Sequence, residues 1–358
     1  MTTLIRQLVL VLALLAAMPL GARAGDEPSK AYALIIAGEG DDANFSENYR
    51  DWSARLNALL TSHCGIPSDQ VAVLIEKKEL LPAIAADTST KEHVAAAFAA
   101  TTAKIHPGDQ LLVFLIGHGT QLDKTAKLCL PGADLTSVDV AGFLGRIPTA
   151  EVVVVGGMCA SDGLLESCSL PGRVLITATN QAAEGNEAYF MEFFLRACES
   201  FAGGAGQAGG KRPIGLLDVF NLAASECPKW YLRQYLLTTK PVSWRIDGKR
   251  SRLLWQKFYG KIPDKVMAPP ENPDQEDEEP VLGEWGPQWK NRRIPTEHAQ
   301  LDDNGDHIGA AVFAGNVFTP LTGTVEGEDG WVASRTVLGQ PRGDKRPPAA
   351  PIPVEPTP

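Results

Sequence analysis

The chain has 358 residues, 44% of them hydrophobic and 21% charged, with a formal net charge of −10. That balance suits an ordinary globular protein of one large domain or two small ones, with ample chain for a sizeable core. An acidic chain is poorly suited to neutralising phosphates, so nucleic acid is not an expected partner.

The N-terminus reads as a secretory signal peptide over residues 1–24. Arg6 precedes an unbroken apolar run at 8–17, Pro19 and Gly21 break it, and Ala22-Arg23-Ala24 has the small-x-small form of a cleavage site. The run is well short of the roughly 20 residues that a spanning helix needs, so stable membrane insertion is not expected after signal removal. The mature chain then begins near Gly25, with a periplasmic or secreted location. Six cysteines follow (Cys64, Cys129, Cys159, Cys168, Cys198 and Cys227) without a C-x-x-C pair, which argues against a zinc or thioredoxin-like site. Some could pair as disulfides in an exported chain.

Residues 31–37 (AYALIIA) form a buried strand candidate, followed by a helix over 44–64 with Trp52, Leu56, Leu59 and Leu60 at helical spacing. Gly65-Ile66-Pro67 stops that helix, and 71–75 is a second strand. Thr88-Ser89-Thr90 can cap a helix, and Glu92 lies three residues after Ser89, as in a capping box, before an Ala-rich helix over 93–104. A third strand covers 110–116, a short helix 138–144, and further strands 151–155 and 173–178. Helices are expected over 189–200 and 214–236, split by a Gly-rich loop at 203–210. Near-continuous Val/Ile/Leu strands alternating with helices imply an α/β fold: a mainly parallel central sheet with helices on both faces. One domain is expected over 25–262, then an acidic, Pro-rich linker over 263–284, a C-terminal extension over 285–340 and a disordered Pro-rich tail over 341–358.

In an open α/β sheet, reactive groups gather beyond the carboxyl ends of the strands. The third strand runs into Gly117-His118-Gly119, and the fourth into Gly157-Met158-Cys159-Ala160-Ser161. If those strands are parallel neighbours, an imidazole and a thiol emerge from one edge. A thiol must ionise to attack a carbonyl, a nearby imidazole favours the thiolate, and the same imidazole can protonate a leaving amine. The N–H groups of Gly119 and Cys159 could bind the developing oxyanion. The catalytic candidates are therefore His118 and Cys159. Asp302, Asp303, Asn304 and Asp306 cluster like part of a calcium loop, but the twelve-residue frame ends at Phe313 where a Glu is required.

These residues resemble the legumain-type peptidases of the caspase-fold clan. The likeness rests on His118-Gly119, the Cys159-Ala160-Ser161 segment, Asn48-Tyr49-Arg50 ahead of a helix, and Gly172-Arg173-Val174-Leu175-Ile176-Thr177-Ala178-Thr179. Locally, Glu184-Gly185-Asn186-Glu187 and Thr296-Glu297-His298 are similar to bacterial members. The resemblance implies a caspase-like three-layer sandwich and cysteine-dependent cleavage of peptide or protein substrates, without metal or organic cofactor. It also implies that Arg50 lines the specificity pocket, favouring Asn or Asp at the cleaved position, with Ser161 and Asp218 as further substrate-binding candidates. Ser161 could equally only shape the turn. Departures stand beside the dyad: Gly117 occupies an acidic position, Gly157-Met158 replaces Glu-Ala, and Asp162 is inserted before Gly163. Two alternatives keep the same fold: a transpeptidase or transamidase using the same dyad, and a catalytically inactive peptide-binding protein.

Overall fold

The computed structural model describes residues 28–40, 43–148, 151–180, 184, 188–203, 212–238, 297–314 and 317–342. The signal peptide, the linker and all but two residues of the Pro-rich tail lie outside them.

In chain order the main elements are β1 (Ala31–Ala37), α1 (Ala43–Ala58), β2 (Val71–Ile75), β3 (Ala86–Thr88), α2 (Lys91–Thr102) and β4 (Gln110–Gly117). Three short strands follow, β5 (Gly119–Leu122), β6 (Thr125–Leu128) and β7 (Leu135–Thr136), and then α3 (Ser137–Leu144) and β8 (Glu151–Met158). The chain continues through α4 (Gly163–Cys168), β9 (Val174–Thr177), α5 (Phe190–Ala202), α6 (Leu216–Thr238), β10 (Gln300–Asp302) and β11 (Ala310–Ala311).

Eight strands form the central sheet in the order β11-β10-β9-β8-β4-β1-β2-β3. From β9 to β3 every pairing is parallel, while β10 and β11 add on antiparallel beyond β9. Alternation along the strands builds two cores, because successive side chains face opposite sides. Ala33, Ile35, Leu112, Phe114, Val153 and Val155 pack with α1, α5 and α6. Leu34, Ile36, Leu111, Val113, Val152 and Val154 pack with α2, α3 and α4. The result is three layers, helices on both faces of a mostly parallel sheet, an architecture compatible with a caspase-like sandwich. Among the described residues no helix is long and apolar enough to cross a membrane.

Local chemistry differs from expectation at several points. Of the capping candidates Thr88, Ser89 and Thr90, it is Thr90 that caps α2, accepting from the His93 N–H at 3.3 Å. The complete capping box lies on α3, between Thr136 and Asp139. The helix expected over 44–64 gives way at Leu59–His63 to a wider turn.

The described parts of the distal segment, 297–314 and 317–342, pack on the sheet domain and add strands to it. β10 pairs with β9, setting Leu301 opposite Ile176. At the other end of the strands, the Gln110 amide donates to the Val337 carbonyl at 2.9 Å and accepts from the Gly339 N–H at 2.8 Å. The Arg342 N–H donates to Glu151 at 2.9 Å. The acidic cluster is spent on backbone. Asp302 accepts from the Gly305 and His307 amides, and Asp303 from those of Gly330 and Ala333. Among the described residues no three His, Cys, Asp or Glu side chains are arranged to hold a metal.

Candidate active site

The connections fix where a site can form. β1 leads through α1 to β2 on one side, and the chain returns through α2 to β4 on the other side of β1. Beyond the carboxyl ends of β1 and β4 the chain therefore diverges, the place where ligands bind in open α/β sheets; here Gly38 and Glu39 donate across it to the Ile116 and Cys129 carbonyls. β4 and β8 are adjacent and parallel, and Gly117 pairs with Met158 at their ends. The next residue on each strand is His118 and Cys159, so both leave the sheet at the same step of the same edge.

Glycines bring the two strand ends together. A Cβ on Gly119 would lie 2.1 Å from the Cys159 carbonyl oxygen, so the two backbones are in contact there. A Cβ on Gly157 would lie 2.0 Å from Cγ of Met191, which sets the start of α5 directly against the end of β8. The Cys129 N–H donates to the His118 carbonyl at 3.0 Å, and Gly119 is paired with Leu128. That pattern makes 119:128 a pair without mutual hydrogen bonds, so the Gly119 N–H faces away from β6. The orientation suits the oxyanion role expected for it.

Past the nucleophile candidate, Ala160 sits at φ +52°, a left-handed conformation that costs a non-glycine residue about 1 kcal/mol. Ser161 holds it there. Its backbone N–H donates to Oγ1 of Thr179 at 3.0 Å, and its Oγ accepts from the Ala178 N–H at 2.9 Å and the Thr179 N–H at 3.2 Å. Ser161 is fully buried in these bonds, so of the two roles considered for it the structure gives it the turn. Asp162 is half-buried beside Gln121; burial raises its carboxyl above the usual range, and the charge of Glu184 adds to that.

Asp218 does not join the site. It is exposed on the first turn of α6, beside Gly215, which bridges to Val337 next to the start of β4. At about 3.3 Å per residue, β4 separates that end from His118 by more than 20 Å.

Arg50 stands on α1 at the wall of a cavity of about 440 Å³ between α1, α5 and α6. Trp52, Tyr189, Phe193 and Trp230 supply its apolar surface. Two other arginines in the wall are neutralised: Arg55 by Asp51, Glu192 and Glu199, and Arg196 by Glu192. Among the described residues Arg50 has no hydrogen bond or ion pair, so its fork of donors faces the cavity uncommitted. Tyr189 meets Tyr231 edge-on at 6.4 Å, and Tyr231 lies within electrostatic reach of Cys159. Neither His118 nor Cys159 lines the cavity, and Tyr231 is fully buried.

The six cysteines are not equivalent. None forms a disulfide. Burial pushes the Cys168 thiol up to about 12 and raises Cys198 and Cys227 well above the ordinary range. Of the four buried cysteines, Cys159 is the one that follows a strand end beside His118. Cys159 itself is fully buried, in the apolar cluster that contains Phe190, Met191 and Tyr231.

A buried acidic pair behind the strand ends was not recognised from sequence as part of the site. Glu297 accepts from the Tyr189 and Phe190 amides and from the Tyr231 hydroxyl, and burial pushes its carboxyl up to about 7. Glu184 accepts from the Asn180 amide at 3.0 Å and pairs with His298. The only sequence signal was their presence in two short segments similar to bacterial relatives of the clan.

The tight Gly119 contact makes a prediction. Gly119→Ala forces a methyl into the Cys159 carbonyl and parts the two loops. Misplacement of about 1 Å costs a catalytic constellation roughly 10²-fold in rate, so any turnover that depends on these two loops should fall by about that much. Overpacking should lower stability by about 1–3 kcal/mol, read as a modest drop in Tm.

No protein-family model matches the chain, and no curated protein matches it. Among solved structures it is similar to a Geobacter sulfurreducens protein determined as a structural-genomics target, with 14% identity over 56% of this chain and 90% of that one, at a TM-score of 0.39.

Proposed function

We propose that this chain is an exported cysteine endopeptidase of the legumain type. The observation that carries the reading is the pairing of Gly117 with Met158, which makes His118 and Cys159 consecutive departures from neighbouring parallel strands. In the proposed reaction His118 takes the Cys159 proton, and the thiolate attacks the scissile carbonyl. The oxyanion is held by the N–H groups of Gly119 and Cys159. His118 then protonates the leaving amine, and water releases the acyl group by the same route in reverse.

Arg50 is the proposed specificity residue. An uncommitted guanidinium in an aromatic-walled cavity that also holds the Glu47 carboxylate suits a carboxylate or amide oxygen, hence Asp or Asn at the cleaved position. A charge-assisted hydrogen bond contributes about 1.5–3 kcal/mol, so Arg50→Ala should reduce kcat/KM on Asp or Asn peptides by roughly 10- to 100-fold while leaving Tm near the native value. Arg55→Ala should do the reverse: it leaves Glu199 without its partner and Glu192 with Arg196 alone as ion-pair partner, and lowers Tm.

A second reading, a peptide-binding protein without turnover, is favoured by one observation: the Cys159 thiol is fully buried. Incubating the purified mature chain with a peptide library and an iodoacetamide probe separates the two. Cleavage after Asp or Asn, with labelling at Cys159, supports the peptidase and the role of Arg50. An intact library and an unlabelled Cys159 support the binding protein. Products joined to an added amine would indicate acyl transfer by the same dyad.

A further inference from the structure

The Cys159 loop rests on α5, and α5 is held from far along the chain. Glu297 is 3% exposed and takes the backbone N–H groups of Tyr189 and Phe190 at 2.6 and 2.8 Å, the opening amides of that helix. A carboxylate there also suits the helix dipole. Its third donor is the Tyr231 hydroxyl from α6. The neighbouring residue, His298, bonds Glu184 through both its backbone N–H and its ring. Residues 297–298 thus stitch together the segment after β9, the first turn of α5 and the middle of α6. That first turn carries Met191, which lies against bare Gly157 two residues before Cys159, and Phe190, in the apolar cluster that buries the thiol.

We propose that Glu297 is a positioning residue for Cys159: it clamps the first turn of α5 against the strand end that carries the thiol. The consequence for turnover rests on the peptidase reading; the clamp itself does not. Three other buried cysteines supply an internal reference. Cys227 faces the same carboxylate and Cys198 lies on α5, but Cys168 belongs to the opposite layer and reports only general unfolding.

The test is Glu297→Gln in the full mature chain, with iodoacetamide labelling mapped by mass spectrometry. One side-chain oxygen cannot serve three donors, so the turn loosens. Labelling of Cys159 is expected to rise at least tenfold relative to Cys168, while kcat on a cleaved peptide falls with KM little changed. Asp303→Asn is the control. Asp303 also accepts two backbone amides, but at the far end of the sheet edge, so it should move Cys159 and Cys168 together. Tyr231→Phe removes one bond of the clamp and should show the selective pattern more weakly, which keeps the test open if Glu297→Gln does not fold. Parallel rises at Cys159 and Cys168 in Glu297→Gln, or no rise at either, would overturn the clamp. If the native chain cleaves no peptide but the selective rise is seen, the clamp stands and only the nucleophile reading falls.

Discussion

Cys159→Ala is expected to lower kcat/KM by on the order of 10⁴-fold or more, with the fold intact. In the proposed mechanism the Cys159 thiolate forms the acyl bond; Cys168, Cys198 and Cys227 are held in the thiol form by burial, and the partly exposed Cys64 and Cys129 do not follow β8. His118→Ala should be comparably damaging, and the double variant no worse than either, because residues acting as one unit are not additive. Stability should change little by comparison. Removing one sulfur from a buried cluster costs about 1 kcal/mol, a shift of roughly 2–4 °C in Tm for a domain of this size. Both numbers come from one preparation, kinetics beside thermal unfolding. Cleavage that persists in Cys159→Ala would assign the activity to another group and end the dyad reading. Cleavage lost together with the cooperative thermal transition would show a structural thiol instead.

The central strands were legible because both faces of each are covered. Runs such as AYALIIA and QLLVFLI have no polar alternation, and β1, β4 and β8 were placed to within a few residues. Their register was not legible, since a strand's sequence does not name its neighbour; the Gly117–Met158 pairing that supports the candidate dyad is a property of the sheet. The β5–β6–β7 unit escaped notice because GTQL and TAKL are short and mixed in character. Ser161 and Asp218 show a different limit. A short motif transfers residue types, but whether a hydroxyl faces ligand or backbone depends on what lies opposite, and for Ser161 that is Thr179. For Asp218 it depends on which end of the sheet a helix starts from. The strands of the distal segment, expected only as a C-terminal extension, were the largest omission. Its two-residue and three-residue strands carry no periodicity to read, and the acidic, Pro-rich stretch before it resembles the end of a domain.

That omission has a measurable consequence. A chain ending at residue 296 should fail to unfold cooperatively, whereas one ending at residue 342 should melt as the full chain does. The segment 297–342 buries Leu301, Val312, Val332 and Leu338. Each such side chain contributes about 2 kcal/mol, so together they are of the order of the whole stability of an ordinary domain, about 5–15 kcal/mol. Removal also strips β9 of its outer partner and uncovers its edge. It leaves the Gln110 side chain without its bonds to Val337 and Gly339, and the opening amides of α5 without Glu297. The damage therefore reaches both ends of the sheet, so a truncated chain is unsuited to asking whether this segment restrains activity. Circular dichroism melts of the two truncations settle the point. A sharp transition within a few degrees of native for the chain ending at 296 would show that the segment only docks on a core already stable without it, and silence of that same chain toward peptides could then be read as a loss of function at the site rather than of the fold.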